Sequence, residues 1–424
     1  MTVAIIHLSD FHNVIGRSEG HAVVVEELFT DLKGQLKLIA AKNVFLAFSG
    51  DIAQSGHSEP QYADVLDVFD KRLNELGISK DQRICVPGNH DLSTDHVSKN
   101  LVVHEGVVSQ NLVEEDFNDF VLNSPNVLTE KFAAYLTFER KFCKFGVGPM
   151  LGAGWDLTKE VSVYCLNTAI CSSGGVRRNG VAIPDKGRLT IDTRTLHDWL
   201  KSCTAKWKLL VMHHPTSWLT PASQRELKVI LEKHFSVRLY GHEHEQESLH
   251  SITAGKSLIE CCAPALYSTK HDLLGYSILT IDELSGPKDL TYRQWTKRRS
   301  FVSGVNFSNT DDGRVSFSLH ASTSRPLPGA QNIDPVLQHF SKRLETALVS
   351  FAGQPRVWAE PILKTKPEIE RDENAVNAVD ISSLLTSPVS SLIHGLPQFG
   401  LTCLSESPRV SWRPVGLSQT DMGA

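Results

Sequence analysis

An α/β fold built around parallel strands is what this 424-residue sequence predicts. Two observations carry that expectation. Short apolar runs alternate with stretches of helical spacing from the N-terminus to Tyr240, and five polar motifs each fall directly behind one of the apolar runs. Strand–helix–strand alternation of this kind gives right-handed crossovers and a mostly parallel sheet. Open α/β sheets also gather their ligands at strand carboxyl ends, where neighbouring loops converge.

The elements follow in order. Thr2–Leu8 reads as a short buried strand ending at Ser9-Asp10. In His21–Ala41, apolar residues recur at Val24, Leu28, Leu32, Leu36 and Ile39, the spacing of one helix face. Val44–Phe48 is a second strand, delivering Gly50-Asp51. Gln61–Leu76 predicts another helix, and Arg83–Val86 a third strand that delivers Gly88-Asn89-His90-Asp91. Residues 92–160 hold no motif and read as a helical cap inserted beside the strand ends, with Leu112–Leu122 and Thr129–Cys143 its plainest helices.

The alternation then resumes. Val161–Leu166 is a strand, Ile191–Cys203 a helix, and Lys208–Met212 a strand that delivers His213-His214-Pro215. Pro221–His234 predicts a helix, and Val237–Tyr240 a strand leading into Gly241-His242-Glu243-His244. Ser257–Cys262, Tyr276–Ile281 and Leu290–Trp295 are expected to complete a second sheet. The first domain is expected to span 1–305. Pro326, Pro328 and Gly329 then introduce a C-terminal extension, 306–424, with an amphipathic stretch at Val336–Phe351 and a polar linker at Lys364–Asn377.

Composition narrows the class. A hydrophobic fraction of 41% with 21% charged residues is that of a globular chain. Lys and Arg total 43 against 48 Asp and Glu, a formal charge of −5, which argues against a wide nucleic-acid surface. The eight cysteines are dispersed without a C-x-x-C pair, and Cys85 and Cys165 sit inside apolar runs, as small buried hydrophobes in a reducing compartment do. The N-terminal run is too short for a signal peptide and no apolar stretch matches a membrane span, so no membrane association and a cytoplasmic location are expected.

Three hard-oxygen donors (Asp10, Asp51, Asn89) and several imidazoles (His12, His90, His213, His242, His244) make up the ordered motif set. That is the ligand inventory of a two-metal hydrolytic centre, and mixed nitrogen and oxygen donors suit manganese, iron or zinc. As an ordered set, Asp10-Phe11-His12, Gly50-Asp51, Gly88-Asn89-His90-Asp91, Met212-His213-His214-Pro215 and Gly241-His242-Glu243-His244 resemble the calcineurin-like metallophosphoesterase superfamily. Within it they are most similar to the cyclic-nucleotide phosphodiesterase-like branch.

That resemblance implies a four-layer α/β sandwich of two mixed β-sheets flanked by helices, carrying two divalent ions. Asp51 matches the bridging carboxylate. Asp10, His12 and His244 match ligands of one ion, and Asn89, His213 and His242 those of the other. The family pattern of histidine, one residue, then proline favours His213 over His214, leaving His214 as a supporting or substrate contact. His90 matches the residue that contacts phosphate and protonates the leaving oxygen, and Asp91, directly behind it, is a candidate to orient that imidazole. Gly88 and Gly241 are expected to permit the turns that bring the chain close to the metals.

The implied reaction is attack of a metal-bridging hydroxide on a phosphate ester, with small, cyclic-nucleotide-like phosphodiesters favoured as substrates. A protein phosphatase would be expected to show G-D-x-V-D-R-G, whereas Asp51 leads into Ile52-Ala53-Gln54-Ser55-Gly56. The competing readings are a DNA or RNA nuclease of the same superfamily, and an effector or regulatory module of a larger signalling or defence assembly docked on a protein partner through its C-terminal region.

Three features stand outside this set. His7 and His57 read as a strand residue and a loop residue. Arg177-Arg178 either reaches a substrate phosphate or base, or is a solvated loop. Gly395–Thr402 has Walker A spacing, but Leu401 stands where the phosphate-neutralising lysine is required. It is either the remnant of a fused P-loop domain or a coincidence.

Overall fold

The computed structural model describes residues 1–16, 19–39, 41–102, 104, 128–148, 152–243, 248–253, 256–268, 273–308, 310–317, 363–364 and 378–379. The chain divides into two compact units, Met1–Thr323 and Ser324–Ala424.

In the first unit, β1 (Thr2–Leu8) is buried at every position from Val3 onward, as a strand covered on both faces must be. Helix α1 (Glu19–Leu38) buries Val24, Val25, Leu28, Phe29 and Leu32 and carries the chain back to β2 (Asn43–Phe48). β2 lies parallel to β1, in register from Val3↔Asn43 to Leu8↔Phe48. Helix α2 (Glu59–Glu75), opened by Pro60, where a missing N–H costs nothing, buries Tyr62, Val65, Phe69 and Leu73. The chain then enters β3 (Arg83–Cys85), parallel to β2. Among the described residues, α3 (Thr94–Lys99) and α4 (Ala133–Phe142) follow.

The second sheet begins with β4 (Gly152–Asp156), antiparallel to β5 (Val161–Leu166). The end of the segment expected as a helical cap is therefore an edge strand, its Gly-Ala-Gly sequence too short and small to show strand periodicity. A two-residue hairpin follows, β6 (Arg177–Arg178) with β7 (Val181–Ala182). Next come α5 (Arg194–Ser202), β8 (Trp207–Val211), α6 (Pro221–His234), β9 (Val237–Tyr240), β10 (Ser248–Thr253) and β11 (Lys256–Cys262). The strand order is β10-β11-β9-β8-β5-β4, with β5, β8, β9 and β11 parallel.

The chain then returns to the first sheet. β12 (Gly275–Asp282) pairs antiparallel with β1, from Thr2↔Asp282 to His7↔Ser277. β13 (Gly286–Trp295), β14 (Phe301–Ser303), the short α7 (Val305–Ser308) and β15 (Arg314–Ser316) extend that edge. Tyr276–Ile281 and Leu290–Trp295, expected in the second sheet, thus belong to the first. An apolar run declares burial but not its partner, and the side of β1 away from β2 was open to it. Because β15 pairs with β13, the first unit extends past the expected boundary at 305.

The result is an α/β sandwich of two mixed sheets flanked by helices, with one apolar core. Among the described residues of the second unit, Leu363–Lys364 pairs with Ala378–Val379. Leu112–Leu122, Val336–Phe351 and Gly395–Thr402 lie outside the described residues. No helix of the described residues is long and apolar enough to cross a membrane.

Candidate metal centre

The carboxyl ends of β1, β2 and β3 bring three loops side by side. The N–H of Asp10 donates to Gly50 O at 3.1 Å, and those of Phe11 and His12 both reach Asp51 O at 2.9 Å, so the first two loops run as a short parallel bridge. Asp10, His12, Asp51 and His242 take φ values of 53°, 46°, 53° and 75°. Non-glycine residues pay for that left-handed backbone with about 1–3 kcal/mol each, and such strain collects at functional sites. Only six non-glycine residues show positive φ in the described structure, so its concentration on four expected ligands marks the loops as built for side-chain placement.

Two glycines make the approach possible. Gly50 has φ 101°, and a Cβ there would meet His213 Nδ1 at 2.5 Å. Gly88 lies in ordinary backbone space, but a Cβ on it would sit 2.1 Å from Asp51 Oδ1. Its role is room for the carboxylate rather than turn geometry.

Asp51 sits at the middle, almost fully buried. Its Oδ1 accepts the His90 N–H at 2.8 Å, and its Oδ2 faces His213 Nε2 at 3.3 Å. On the same imidazole, Nδ1 lies 2.7 Å from Ser49 O. A carbonyl can only accept, so a proton rests on Nδ1 and Nε2 is the nitrogen turned inward for a metal, the usual way an outer partner orients a ligating histidine. That Nε2 is also 3.2 Å from Asn89 Oδ1 and 3.2 Å from His242 Nδ1. The His242 N–H donates to Asp10 Oδ2 at 3.1 Å, tying the second sheet's loop to the first.

The ligand atoms of Asp10, Asp51 and His213 lie within 4.8 Å of one another, as do those of His12, Asp51 and His90, and those of His213, His214 and His242. Asp51 and His213 each belong to two of these groups, and Asp51 is the carboxylate common to the Asp10–His213 group and the His12–His90 group. The electrostatics agree. Burial alone would raise the Asp51 pKa, but His213, His90 and His12 hold it well below the usual carboxylate range. Burial would likewise lower His213, yet Asp51 and Asp10 push it up to about 9. The cluster thus attracts positive charge to its centre, and its donors are carboxylate oxygen, amide oxygen and imidazole nitrogen. That donor set fits divalent transition ions.

The structure brings Asp10, His12, Asp51, Asn89, His90, His213 and His242 together; His244 lies outside the described residues. His214 is buried at the edge, its Nδ1 3.0 Å from Thr168 Oγ1 and its ring 4.6 Å from that of His242. His213 makes the contacts to Asp51 and Asn89.

Asp91 departs from expectation. Its carboxylate turns away from the His90 ring and accepts the N–H groups of Ile52 (3.1 Å), Ala53 (3.1 Å) and Gly88 (2.9 Å) and the Tyr62 hydroxyl (3.0 Å). Successive residues of a tight turn project apart, so adjacency to His90 in sequence places Asp91 behind the loops, where it clamps those of β2 and β3 together. Burial and the nearby Asp51 push its pKa up to about 6, against the opposing pull of the three backbone donors.

The His90 ring is held instead by Gln54. Its Nδ1 lies 3.1 Å from Gln54 O and 3.2 Å from Gln54 Nε2, while the ring stands edge-on to His12 at 4.7 Å. Gln54, Tyr62 and Ser49 carried no motif signal. Their only trace in sequence is proximity to Asp51, and for Ser49 the contact is a main-chain carbonyl that any residue supplies.

Residues 3–246 match the family model for calcineurin-like phosphoesterases. The uncharacterized metallophosphoesterase-like protein YydB of Bacillus subtilis (strain 168) is 21% identical over 295 residues, covering 65% of this chain and 57% of its own length. The chain thus spans little more than half of that relative. Among solved structures, a purple acid phosphatase from yellow lupin is similar at 13% identity and TM-score 0.39, covering 70% of this chain and 52% of its own. A putative 5′-nucleotidase from Staphylococcus aureus is similar at 12% identity and TM-score 0.37, covering 82% and 59%. With more than half its length matching the family model and the motif residues gathered in one place, this chain belongs to the calcineurin-like phosphoesterase family.

Proposed function

We propose that this protein is a dinuclear metal-dependent phosphoesterase whose substrates are small phosphodiesters of the cyclic-nucleotide kind. The observation that carries the reading is the buried Asp51 carboxylate, which groups with Asp10 and His213 and also with His12 and His90, while His213 Nε2 in turn lies 3.2 Å from Asn89 Oδ1. Two divalent ions bound there would act as Lewis acids on the phosphoryl oxygens and lower the pKa of water. Asp10, His12, Asp51, Asn89, His213 and His242 are the residues placed to hold them, with His244 assigned by motif.

The chain's own groups account for the rest. Asp51 stays ionised, Ser49 O holds a proton on His213 Nδ1, and Gln54 O holds the half-buried His90 at its Nδ1, leaving Nε2 as its nitrogen for substrate. From there His90 holds a proton and delivers it to the leaving oxygen. The motif forms, with Asp51 leading into Ile52-Ala53-Gln54-Ser55-Gly56, favour small phosphodiesters as the substrate class. A cytoplasmic setting belongs to this proposal too, since the described cysteines are unpaired and mostly buried.

The test compares manganese-dependent hydrolysis of bis-p-nitrophenyl phosphate with that of p-nitrophenyl phosphate, in wild type and His90→Ala. Wild type should prefer the diester, and His90→Ala should keep that preference while losing about 10²–10⁴ in kcat. Preference for the monoester would overturn the substrate class, and an unchanged kcat would remove His90 as the acid. Should the diesterase activity run on oligonucleotides in excess over cyclic nucleotides, the nuclease reading replaces the small-substrate one.

A further inference from the structure

One strap of chain, Thr168 to Leu189, reaches both sides of the metal centre. At one end Gly174 lies so close to the Asn89–Leu92 turn that a Cβ on it would meet Leu92 Cδ1 at 2.6 Å and Asn89 O at 3.1 Å. The strap is pinned there. Asp185 accepts from Ser172 Oγ (2.5 Å) and Ser173 N (2.9 Å), and the buried Lys131 Nζ donates to Ser172 O at 2.7 Å. At the other end, the N–H groups of Gly187 and Leu189 both donate to Trp218 O, at 2.9 and 3.3 Å.

Trp218 follows the His213-His214-Pro215 motif by three residues, and its N–H donates to Pro215 O at 3.0 Å. Its ring stands edge-on to His242, with centroids 4.0 Å apart and planes at 82°, and lies 5.7 Å from the His214 ring. The indole N–H donates to Glu243 Oε1 at 3.0 Å. The ring is thus held at its backbone and at its polar edge, and it is half-buried. Lys186, exposed at the end of the strap, places its ammonium 5.9 Å above the ring. A flat aromatic held in place with an exposed cation over it, beside a candidate metal ligand, is a combination suited to receive a base and the phosphate attached to it.

We propose that Trp218, with Lys186 above it, is the platform that receives the organic arm of the diester, and that this arm is a nucleobase or comparable flat aromatic. This rests on the phosphodiesterase reading above and names the substrate class within it. The base stacks on the indole, the Lys186 side chain swings to the phosphate, and the scissile phosphorus lies on the His242 side of the centre. The simpler role for Trp218, a brace for His242, makes a different prediction. Loss of a brace weakens every substrate alike, whereas loss of a platform weakens only those with an aromatic arm.

The test therefore reads a ratio. Binding of adenosine 5′-monophosphate and of ribose 5-phosphate to the manganese-loaded full chain is measured by calorimetry, for wild type, Trp218→Ala and Trp218→Phe. Wild type should bind the nucleotide roughly 5- to 150-fold more tightly, the range expected for one stacked base. Trp218→Ala should bring the two affinities together, and Trp218→Phe should retain most of the preference. Equal affinities in wild type, or an undiminished preference in Trp218→Ala, would overturn the platform. Hydrolysis of the adenosine 5′- and methyl esters of p-nitrophenyl phosphate, which share a leaving group, is measured in parallel. Turnover of neither would overturn the diesterase reading, while the binding ratio still decides the platform.

Discussion

The two sheets make unequal contributions to one centre. The first sheet supplies both carboxylates, the amide and two imidazoles, from loops that hold Asp10, His12 and Asp51 in left-handed backbone and are clamped from behind by Asp91. The second supplies His213 and His242, and both take their orientation from the first sheet: His213 through Ser49 O, His242 through Asp10 Oδ2. Negative charge and geometry are therefore stored on one side, while the other brings imidazoles that the first side aims. Damage to the first sheet's loops should reach both ion positions, and damage to the second only its own.

Asp51→Asn gives the largest test of that asymmetry. It removes the one carboxylate common to the Asp10–His213 and His12–His90 groups and should abolish turnover, whereas a variant with near-normal activity would break the comparison at its centre. Asp91→Asn comes next. Its amide would turn N–H groups toward backbone donors, so a loss of about 1–3 kcal/mol in stability is expected. Metal affinity should fall by about 10–100-fold, as for other residues that support ligands from behind. Calorimetric unfolding and a metal titration read both quantities. An unchanged melting temperature with a displaced pH–rate profile would instead return Asp91 to a role on His90.

The smallest effect sharpens the contrast by lying away from the centre. Glu139 on α4 is buried, with Oε1 accepting the Val147 N–H at 2.6 Å, and burial pushes its pKa up to about 7 from an ordinary 4.5. The folded state thus binds this proton more tightly than the unfolded state does. Stability from this group is full below pH 4.5 and is lost as pH rises toward 7, by on the order of 3 kcal/mol. Glu139→Gln stays neutral and should flatten that slope without altering metal content. A slope unchanged in the variant would assign the pH dependence elsewhere.

Much of this was legible in sequence because strand ends and motifs coincide. Helix Pro221–His234 could be read to the residue, since Pro221 opens it and Thr220 caps it by accepting the Ser223 N–H. What sequence could not show was partnership in space. The strand Ser248–Thr253 mixes polar and apolar residues without a run, and Tyr276–Ile281 proclaimed its burial without naming β1 as its neighbour. The ligands declared themselves by type and order. The groups that aim them did not, because Ser49 acts through its carbonyl, Gln54 through its backbone, and Asp91 from the far side of a turn. Trp218 was visible only as an aromatic three residues past a motif, which many helix and loop starts share.

Counting metal ions tests the central claim most directly. After equilibration with manganese and dialysis, elemental analysis of the wild-type chain and of Asp51→Asn should find two ions per chain in the first and a loss at both positions in the second. A His213→Ala variant in parallel should keep the ion on the Asp10–His12 side. Two ions retained by Asp51→Asn would contradict the shared carboxylate on which the account rests.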